Sequence, residues 1–433
     1  MINAFHRFQS TSKYAKGFEW VKLLLVTGGA QVFIQGIGFG CGILVIRSLP
    51  TSEYALYTLA NTMLGTMAIL TDGGINTGVL TQGGRVWQDP AKLGIVINTG
   101  MNLRRKFAVV TLILVIPLLL FLLINHGASW VWSILIIASL VPAFFTALSG
   151  SLLEIGPKLH QDIKPLQKNQ VIFNIGRLIL LSSSLVVFPF AYISILATGL
   201  PQLWANRQLK KISAGYVDFS QKPDVEVKEE ILHIVKRILP TSIYYCIHSQ
   251  ISIWLISIFG TTDSIAKIGA LSRLTMIFTL INVVFATLVV PRFARLSEQK
   301  NLLSLFFKIQ IGLLLLSTCI ISAVILFDTE VLWVLGENYN SLTIEVVLIT
   351  ISSCISFMGG ITYSVSLSRG LVLSPYISIG ISILTQIVLF YMLDLSNMKN
   401  VLVFSIIDYA IAYLMMLFYF IYMNRFYDNK VLI

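Results

Sequence analysis

Residues 107–125 read FAVVTLILVIPLLLFLLIN, nineteen positions without a charge, and Arg104-Arg105-Lys106 stand directly before them. A helix that crosses the hydrocarbon of a bilayer needs about 20 mostly apolar residues, so this stretch spells a membrane span with a basic end. The run is solidly apolar rather than alternating, which excludes a strand of a membrane barrel. Working outward, comparable runs lie near 23–46, 54–80, 105–125, 130–153, 169–187, 189–206, 232–258, 264–290, 303–327, 343–366, 373–393 and 400–424. The fifth and sixth are split only by Phe188-Pro189-Phe190. With roughly 35 residues for a helix plus its loop, the chain holds about 12 spans and no separate soluble domain.

Composition agrees. Of 433 residues, 56% are hydrophobic and 12% charged, whereas soluble chains run at about 45–50% and about 25%. That charge density does not cover a water-soluble globule, so a soluble enzyme, a nucleic-acid reader and a disordered tail protein are excluded despite the net charge of +11. Residues 1–22 are polar and mildly basic, and no small-residue cleavage site follows the first apolar run, which reads as an uncleaved start. Cys41, Cys246, Cys319 and Cys354 all fall within expected spans and make no CxxC pair, the pattern of small buried hydrophobes rather than of a metal site or a disulfide framework. No phosphate-binding GxxxxGK[ST] loop and no HExxH occurs. No cofactor and no metal are expected.

Twelve spans place both termini on one side, and the basic residues say which. Of the 31 Lys and Arg, 25 fall on the side of the termini, three on the other (Arg47, Lys267, Lys399) and three within spans (Arg177, Arg273, Lys308). Both termini are therefore expected in the cytoplasm, and the +11 reads as a topology signal with some attraction to anionic lipid. It gives no reason to expect a nucleic-acid partner. The charged stretch 207–230 sits at the midpoint. It divides the chain into an N-terminal segment 1–22, a six-helix bundle 23–206, a cytoplasmic linker 207–230 and a second six-helix bundle 231–433. A faint repeat supports two halves: Thr51–Asn61 can be laid on Thr262–Ser272 at a constant offset of 211, and internal repeats of this kind mark transporters. The fold class expected is an all-α polytopic membrane protein with two pseudo-repeated bundles around a central cavity.

Polar residues at helical spacing mark faces that avoid lipid. The first span carries Thr27, Gln31, Gln35, Gly38 and Gly42, and the second Asn61, Gly65, Ala68, Asp72 and Asn76. The fifth carries Gln170, Asn174, Arg177, Leu181 and Ser184, and the seventh Arg237, Thr241, Tyr245, His248 and Ser252. The eighth carries Ser272, Thr275, Thr279, Asn282 and Ala286. Small and hydroxyl members of such stripes serve helix packing as readily as cavity lining. Asp72 is a carboxylate inside a span, to be read either as part of a pathway or as half of a structural ion pair. Arg177 lies roughly 12 Å from the cytoplasmic end of its span by helical rise, within reach of an anionic ligand or of the headgroups. Arg273 lies well round its helix from the Ser272–Asn282 stripe. His248 reads as a hydrogen-bonded buried histidine before a proton relay, and Asp408 as a partner for a neighbouring helix.

The run Arg47-Ser48-Leu49-Pro50-Thr51-Ser52-Glu53-Tyr54-Ala55-Leu56-Tyr57, followed by Leu70-Thr71-Asp72-Gly73-Gly74-Ile75-Asn76 and, in the second half, by Pro291-Arg292-Phe293, resembles bacterial polysaccharide flippases. These are the Wzx-type members of the MOP superfamily, related to the MATE exporters. The resemblance implies a MATE-like fold in the bacterial cytoplasmic (inner) membrane. Its substrate would be an undecaprenyl-diphosphate-linked oligosaccharide, moved to the periplasmic leaflet for O-antigen or capsule assembly. It implies coupling to a proton or sodium gradient, and a polysaccharide polymerase and a chain-length regulator as partners beside the lipid bilayer. It would give Arg177 and Arg273 the anionic head of the substrate and Asp72 a coupling or gating role. A sparsely charged cavity would suit a neutral sugar chain read by Gln, Asn and Tyr. Two other functions compete. A cation-coupled drug or metabolite exporter calls for an acidic cavity, and a membrane glycan polymerase or ligase calls for a large external loop with basic catalytic residues.

Overall fold

The computed structural model describes residue 29 and residues 31–426, apart from 286–288, 291, 292, 294–298, 370 and 372. The 1–22 segment, Thr27, Ala286, the Pro291-Arg292 exit and the end of the C-terminal tail lie outside the described residues. Regular structure among the described residues is helical throughout. The first eight helices are α1 (Gln31–Ser48), α2 (Thr51–Asp72), α3 (Ile75–Val86), α4 (Pro90–Asn125), α5 (Trp130–Leu153), α6 (Ile155–Leu159), α7 (Ile163–Val187) and α8 (Ala191–Ser213). After a connection come α9 (Val225–His248), α10 (Ile251–Phe259), α11 (Thr262–Leu274), α12 (Ile277–Val284), α13 (Gln299–Leu326), α14 (Asp328–Leu335), α15 (Thr343–Leu367), α16 (Pro375–Met392) and α17 (Met398–Phe426). Helices α2, α4, α5, α7 and α8 pack among themselves, as do α13, α15, α16 and α17.

Among the described residues nine helices are long and apolar enough to cross a membrane, and ten if the bent pair α9–α10 counts as one span. Helices occupy all twelve expected positions; α2–α3 and α8 alone fall below that apolar threshold. Helix α2 packs against α4, α5, α8, α9 and α11 and so can carry Thr58, Asn61, Thr66 and Asp72; α8 ends with Asn206, Arg207, Gln208, Lys210 and Lys211 in its last turns. The second expected span is also not continuous. Gly73 (φ +46°) and Gly74 (φ +99°) adopt left-handed backbone between α2 and α3, where a side chain is disfavoured. Helix α4 runs 36 residues, about 54 Å at the helical rise, and starts fifteen residues before the expected span. Asp89 caps it by accepting from the Ala91 and Lys92 amides at 3.0 and 3.2 Å, and Pro90 takes the first position, where no donor is needed.

The connection between α8 and α9 is shorter than 207–230: helix runs through Ser213 and resumes at Val225. It is bolted to α4. The Asp218 amide donates to the Pro90 carbonyl at 3.0 Å, Asn98 Nδ2 donates to the carbonyls of Phe219 and Gln221 at 3.2 and 2.7 Å, and the Asp224 amide donates to Thr99 Oγ1 at 3.0 Å. A Cβ on Gly94 would stand 2.0 Å from the Asp218 carbonyl oxygen, so only glycine permits the approach. Hydrogen bonds from Gln221 and Ser220 hold the Asp218 carboxylate below its usual range, so it stays charged and keeps these bonds at neutral pH. The bond from the Tyr216 hydroxyl to Asp162 pushes the Tyr216 phenol up.

At the opposite end, other contacts cross between the first eight helices and the rest. Arg47 Nε donates to the Val334 carbonyl at 3.1 Å, and the guanidinium lies 4.9 Å over the Trp333 ring. His126 Nε2 sits 2.8 Å from the Ser257 carbonyl and Nδ1 3.3 Å from Thr262 Oγ1. Helices α2 and α11 touch most closely at Thr58 and Gly269, where a Cβ on Gly269 would meet Thr58 Oγ1 at 2.4 Å. The repeat offset of 211 lays these two positions on each other, so each residue meets its own equivalent, as on a two-fold axis. Gly269→Ala is expected to cost about 1–3 kcal/mol by overpacking. Adding Thr58→Ala, which leaves 3.1 Å to the Thr58 Cβ, should recover most of the lost melting temperature in detergent.

Candidate functional site

Four cavities lie in a row, joined by shared lining residues. The first, of about 240 Å³, is walled by α1, α2, α5, α7, α8 and α11 and holds both Arg177 and Arg273, with Asn61, Tyr57 and Gln202. Glycines on α1 make the room. A Cβ on Gly38 would stand 3.5 Å from Arg177 Nη2, and one on Gly42 3.2 Å from Arg273 Cδ. These glycines are one turn apart, about 6 Å of rise, so two cations from different helices lie against one face of α1. Arg177 Nε is buried without a hydrogen-bond partner among the described residues, and none of the described residues lining the cavity is a carboxylate. Gly42→Leu is expected to push Arg273 aside and lower transport several-fold. Gly40→Leu, where a Cβ meets nothing within 4 Å, should leave it near normal at equal expression.

The chain breaks between α11 and α12 at Thr275-Met276, and the cavities meet at that break. Met276 lines the arginine cavity and also a second one, of about 390 Å³, which Gln35 and Gly36 border. Thr275 and Phe278 pass from this cavity into a third, also about 390 Å³, lined by Ser252, Ser272, Thr279, Ser352 and Asn282. Both faces of α11–α12 therefore line space. The Ser272–Asn282 stripe faces the third cavity, and Arg273, off that stripe, faces the first.

Ser249, Ser356 and Tyr409 pass from the third cavity into a fourth, of about 440 Å³, among α9, α15, α16 and α17. Thr241, Tyr244, Tyr245 and His248 line it. Behind it, His248 Nδ1 lies 3.2 Å from Asp408 Oδ2, and Gln386 Nε2 reaches both, each at 3.1 Å. His248 is thus a hydrogen-bonded buried histidine, and Asp408 of α17 pairs across to α9 and α16.

No family model and no curated protein matches the chain; solved structures do. The inward-facing conformation of a multidrug resistance MATE family transporter of the MOP superfamily superposes with a TM-score of 0.71 at 14% identity, over 91% of this chain and 96% of that one. The fold is that of the MATE transporters. The outward-facing conformation of a transporter described in the same words gives 0.61 at 14% identity, over 93% and 94%. A MOP superfamily transporter from Pyrococcus furiosus, reported for the reverse polarity of its binding pocket, gives 0.58 at 14% identity, over 92% and 94%. The chain is a multi-pass membrane protein with a transporter fold.

Within this MATE fold the remaining candidates are placed as follows. Asp72 lies outside the arginine cavity. Its carboxylate pairs with Arg104 and accepts from the Asn76 amide at 3.2 Å, so it holds the α2–α3 break rather than facing the row of cavities. Asn76 leaves the Asn61–Asp72 stripe because the two glycines end the helix before it. Asn174 is buried and donates to the Gln170 carbonyl of its own helix at 2.8 Å, and Gln31 is half-buried on α1 outside the four cavities. Arg104 was assigned to the basic flank of a span. It is instead 4% exposed inside α4, with further bonds to the Leu148 carbonyl at 2.5 Å and Ser151 Oγ at 2.7 Å. Its position before an apolar run gave the same signal as a headgroup anchor. Arg47 opens the run that carries the resemblance and is one of three basic residues on the sparse side; its crossing to α14 shows only in the structure.

Proposed function

We propose that this protein flips a lipid-linked oligosaccharide with an anionic diphosphate head, such as an undecaprenyl-diphosphate glycan, from the cytoplasmic to the periplasmic leaflet of a bacterial inner membrane. The observation that carries this reading is the pair Arg177 and Arg273 in one cavity without a lining carboxylate among the described residues. Guanidinium groups bind phosphate oxygens in planar, charge-assisted geometry, and the same field repels an organic cation. A cation-coupled exporter shares the fold, but the one span carboxylate that favoured it, Asp72, is engaged by Arg104.

In this account the glycan crosses between the two bundles while the lipid tail stays in the bilayer, and the bundles rock around the α11–α12 break. The linker end is cytoplasmic by its basic residues. The Arg47, His126 and Thr58–Gly269 contacts then close the periplasmic end, in keeping with the higher similarity to an inward-facing neighbour. Direction comes from an ion gradient or from consumption of the product by a polymerase, since a carrier alone shifts no equilibrium. Deleting the gene in its native strain tests the reading. Loss of surface polysaccharide with build-up of single lipid-linked repeat units, both reversed by the intact gene, is expected. Normal surface glycan with altered sensitivity to toxic cations would replace the reading by the exporter.

A further inference from the structure

The fourth cavity differs in chemistry from the first, which holds the two arginines. Among the described residues, no Asp, Glu, Lys or Arg lines the fourth cavity. Tyr245 and Tyr363 present rings that are 41% and 40% exposed, and Tyr244 stands edge-on to Tyr245 with centroids 5.3 Å apart. Ser382 and Ser378 of α16 approach the hydroxyls of Tyr244 and Tyr245. Gly360 keeps the opposite wall open, since a Cβ there would meet nothing within 4 Å. The volume of about 440 Å³ lies within the range of small-molecule sites, about 300–1,000 Å³.

From these features we infer that the tyrosine-lined cavity is a subsite for an uncharged pyranose ring of the transported glycan, apart from the arginine cavity that takes the diphosphate. The inference rests on the flippase reading and adds where the sugar sits. A pyranose offers C–H faces and a rim of hydroxyls. Tyrosine rings supply flat apolar faces with a polar edge, and Ser, Thr and Tyr hydroxyls both donate and accept. Tyrosine faces also attract organic cations, so the test sets a cation against the sugars. Asp408, behind the cavity, is 1% exposed with Oδ2 held by His248 and Gln386, and it is not among the described lining residues. Shared lining residues, Met276 to Thr275 to Ser249, link the arginine cavity to the tyrosine cavity by way of the apolar second cavity and the third.

Saturation-transfer NMR on the full-length protein in nanodiscs tests this. The probes are the methyl glycosides of glucose, galactose, mannose, N-acetylglucosamine and N-acetylgalactosamine, with tetraphenylphosphonium as the cationic competitor. At least one glycoside is expected to take up saturation, at least fivefold less with Tyr245→Ala and Tyr363→Ala combined. The Tyr245→Phe and Tyr363→Phe pair, which keeps the rings, should retain most of the signal. Arg177→Ala with Arg273→Ala should leave it unchanged. No transfer to any glycoside, an undiminished signal in the alanine pair, or displacement by tetraphenylphosphonium overturns the subsite. Flipping of lipid-linked oligosaccharide in liposomes separates the two failures. If the intact protein flips while the sugar signal ignores the tyrosines, only the subsite falls; if it does not flip, the reading beneath falls with it.

Discussion

Arg177→Ala combined with Arg273→Ala is expected to abolish transport while the protein still folds and inserts. Each guanidinium offers charge-assisted bonds to a diphosphate worth about 1.5–3 kcal/mol, so losing both lowers transport by about a hundredfold or more. The side chains are only half-buried, and no ion pair to either is seen among the described residues. Their removal strands no buried partner charge, but Arg273 lies against the buried Tyr54 and Tyr57 hydroxyls, so the melting temperature should fall modestly while the protein still folds. Each single variant should be weaker than wild type, and Arg177→Lys milder than Arg177→Ala, because a point charge remains without the planar fork. The check is complementation of a deletion strain, with membrane levels of each variant measured alongside. Full complementation by the double variant would remove the basis of the flippase reading.

Asp72→Ala should behave in the opposite way, as a stability defect rather than a transport defect. Stripping a buried charge of its partner costs about 3–5 kcal/mol. Here Asp72 is 31% exposed in its side chain and Arg104 keeps Leu148 and Ser151, which lowers the expected loss to about 1–3 kcal/mol. Asp72→Asn keeps an acceptor for Arg104 and for the Asn76 amide and should lose less. Adding Arg104→Met to Asp72→Ala replaces the pair by apolar packing and should restore both the melting temperature and the level of folded protein. Transport per folded molecule stays near wild type in all of them. A coupling carboxylate would give another pattern: Asp72→Asn, normally expressed, would be transport-dead, and Arg104→Met would rescue nothing.

The sequence carried the membrane class, the helical architecture and the order of the spans, because solid apolar runs and basic flanks are bulk signals. It placed the α7–α8 corner at Phe188-Pro189-Phe190, where α7 does end and α8 begins. The Thr51–Thr262 offset, faint in identities, fell on two helix starts and on a contact between equivalent residues. What was not legible depended on partners distant in the chain. Arg104 reads as an anchor until Asp72, 32 residues earlier, is seen beside it. A stripe drawn through Asp72 and Asn76 assumes a continuous helix, and only the left-handed backbone at Gly73-Gly74 breaks it. Arg273 was off its stripe because α11 has two lined faces, and a single periodicity describes one. Gly38 and Gly42 matched a packing pattern equally well, and only the arginines lying against them make them part of a cavity wall.

Transbilayer movement itself tests the central claim most directly. The purified protein would be reconstituted into liposomes containing an undecaprenyl-diphosphate-linked oligosaccharide, and the glycan exposed to a membrane-impermeant glycosidase added outside. The account predicts that the inner-leaflet pool becomes cleavable within minutes with the wild-type protein and stays protected with Arg177→Ala plus Arg273→Ala. An inner-leaflet pool that stays protected with the wild-type protein, in vesicles where the same preparation moves an organic cation, would contradict it.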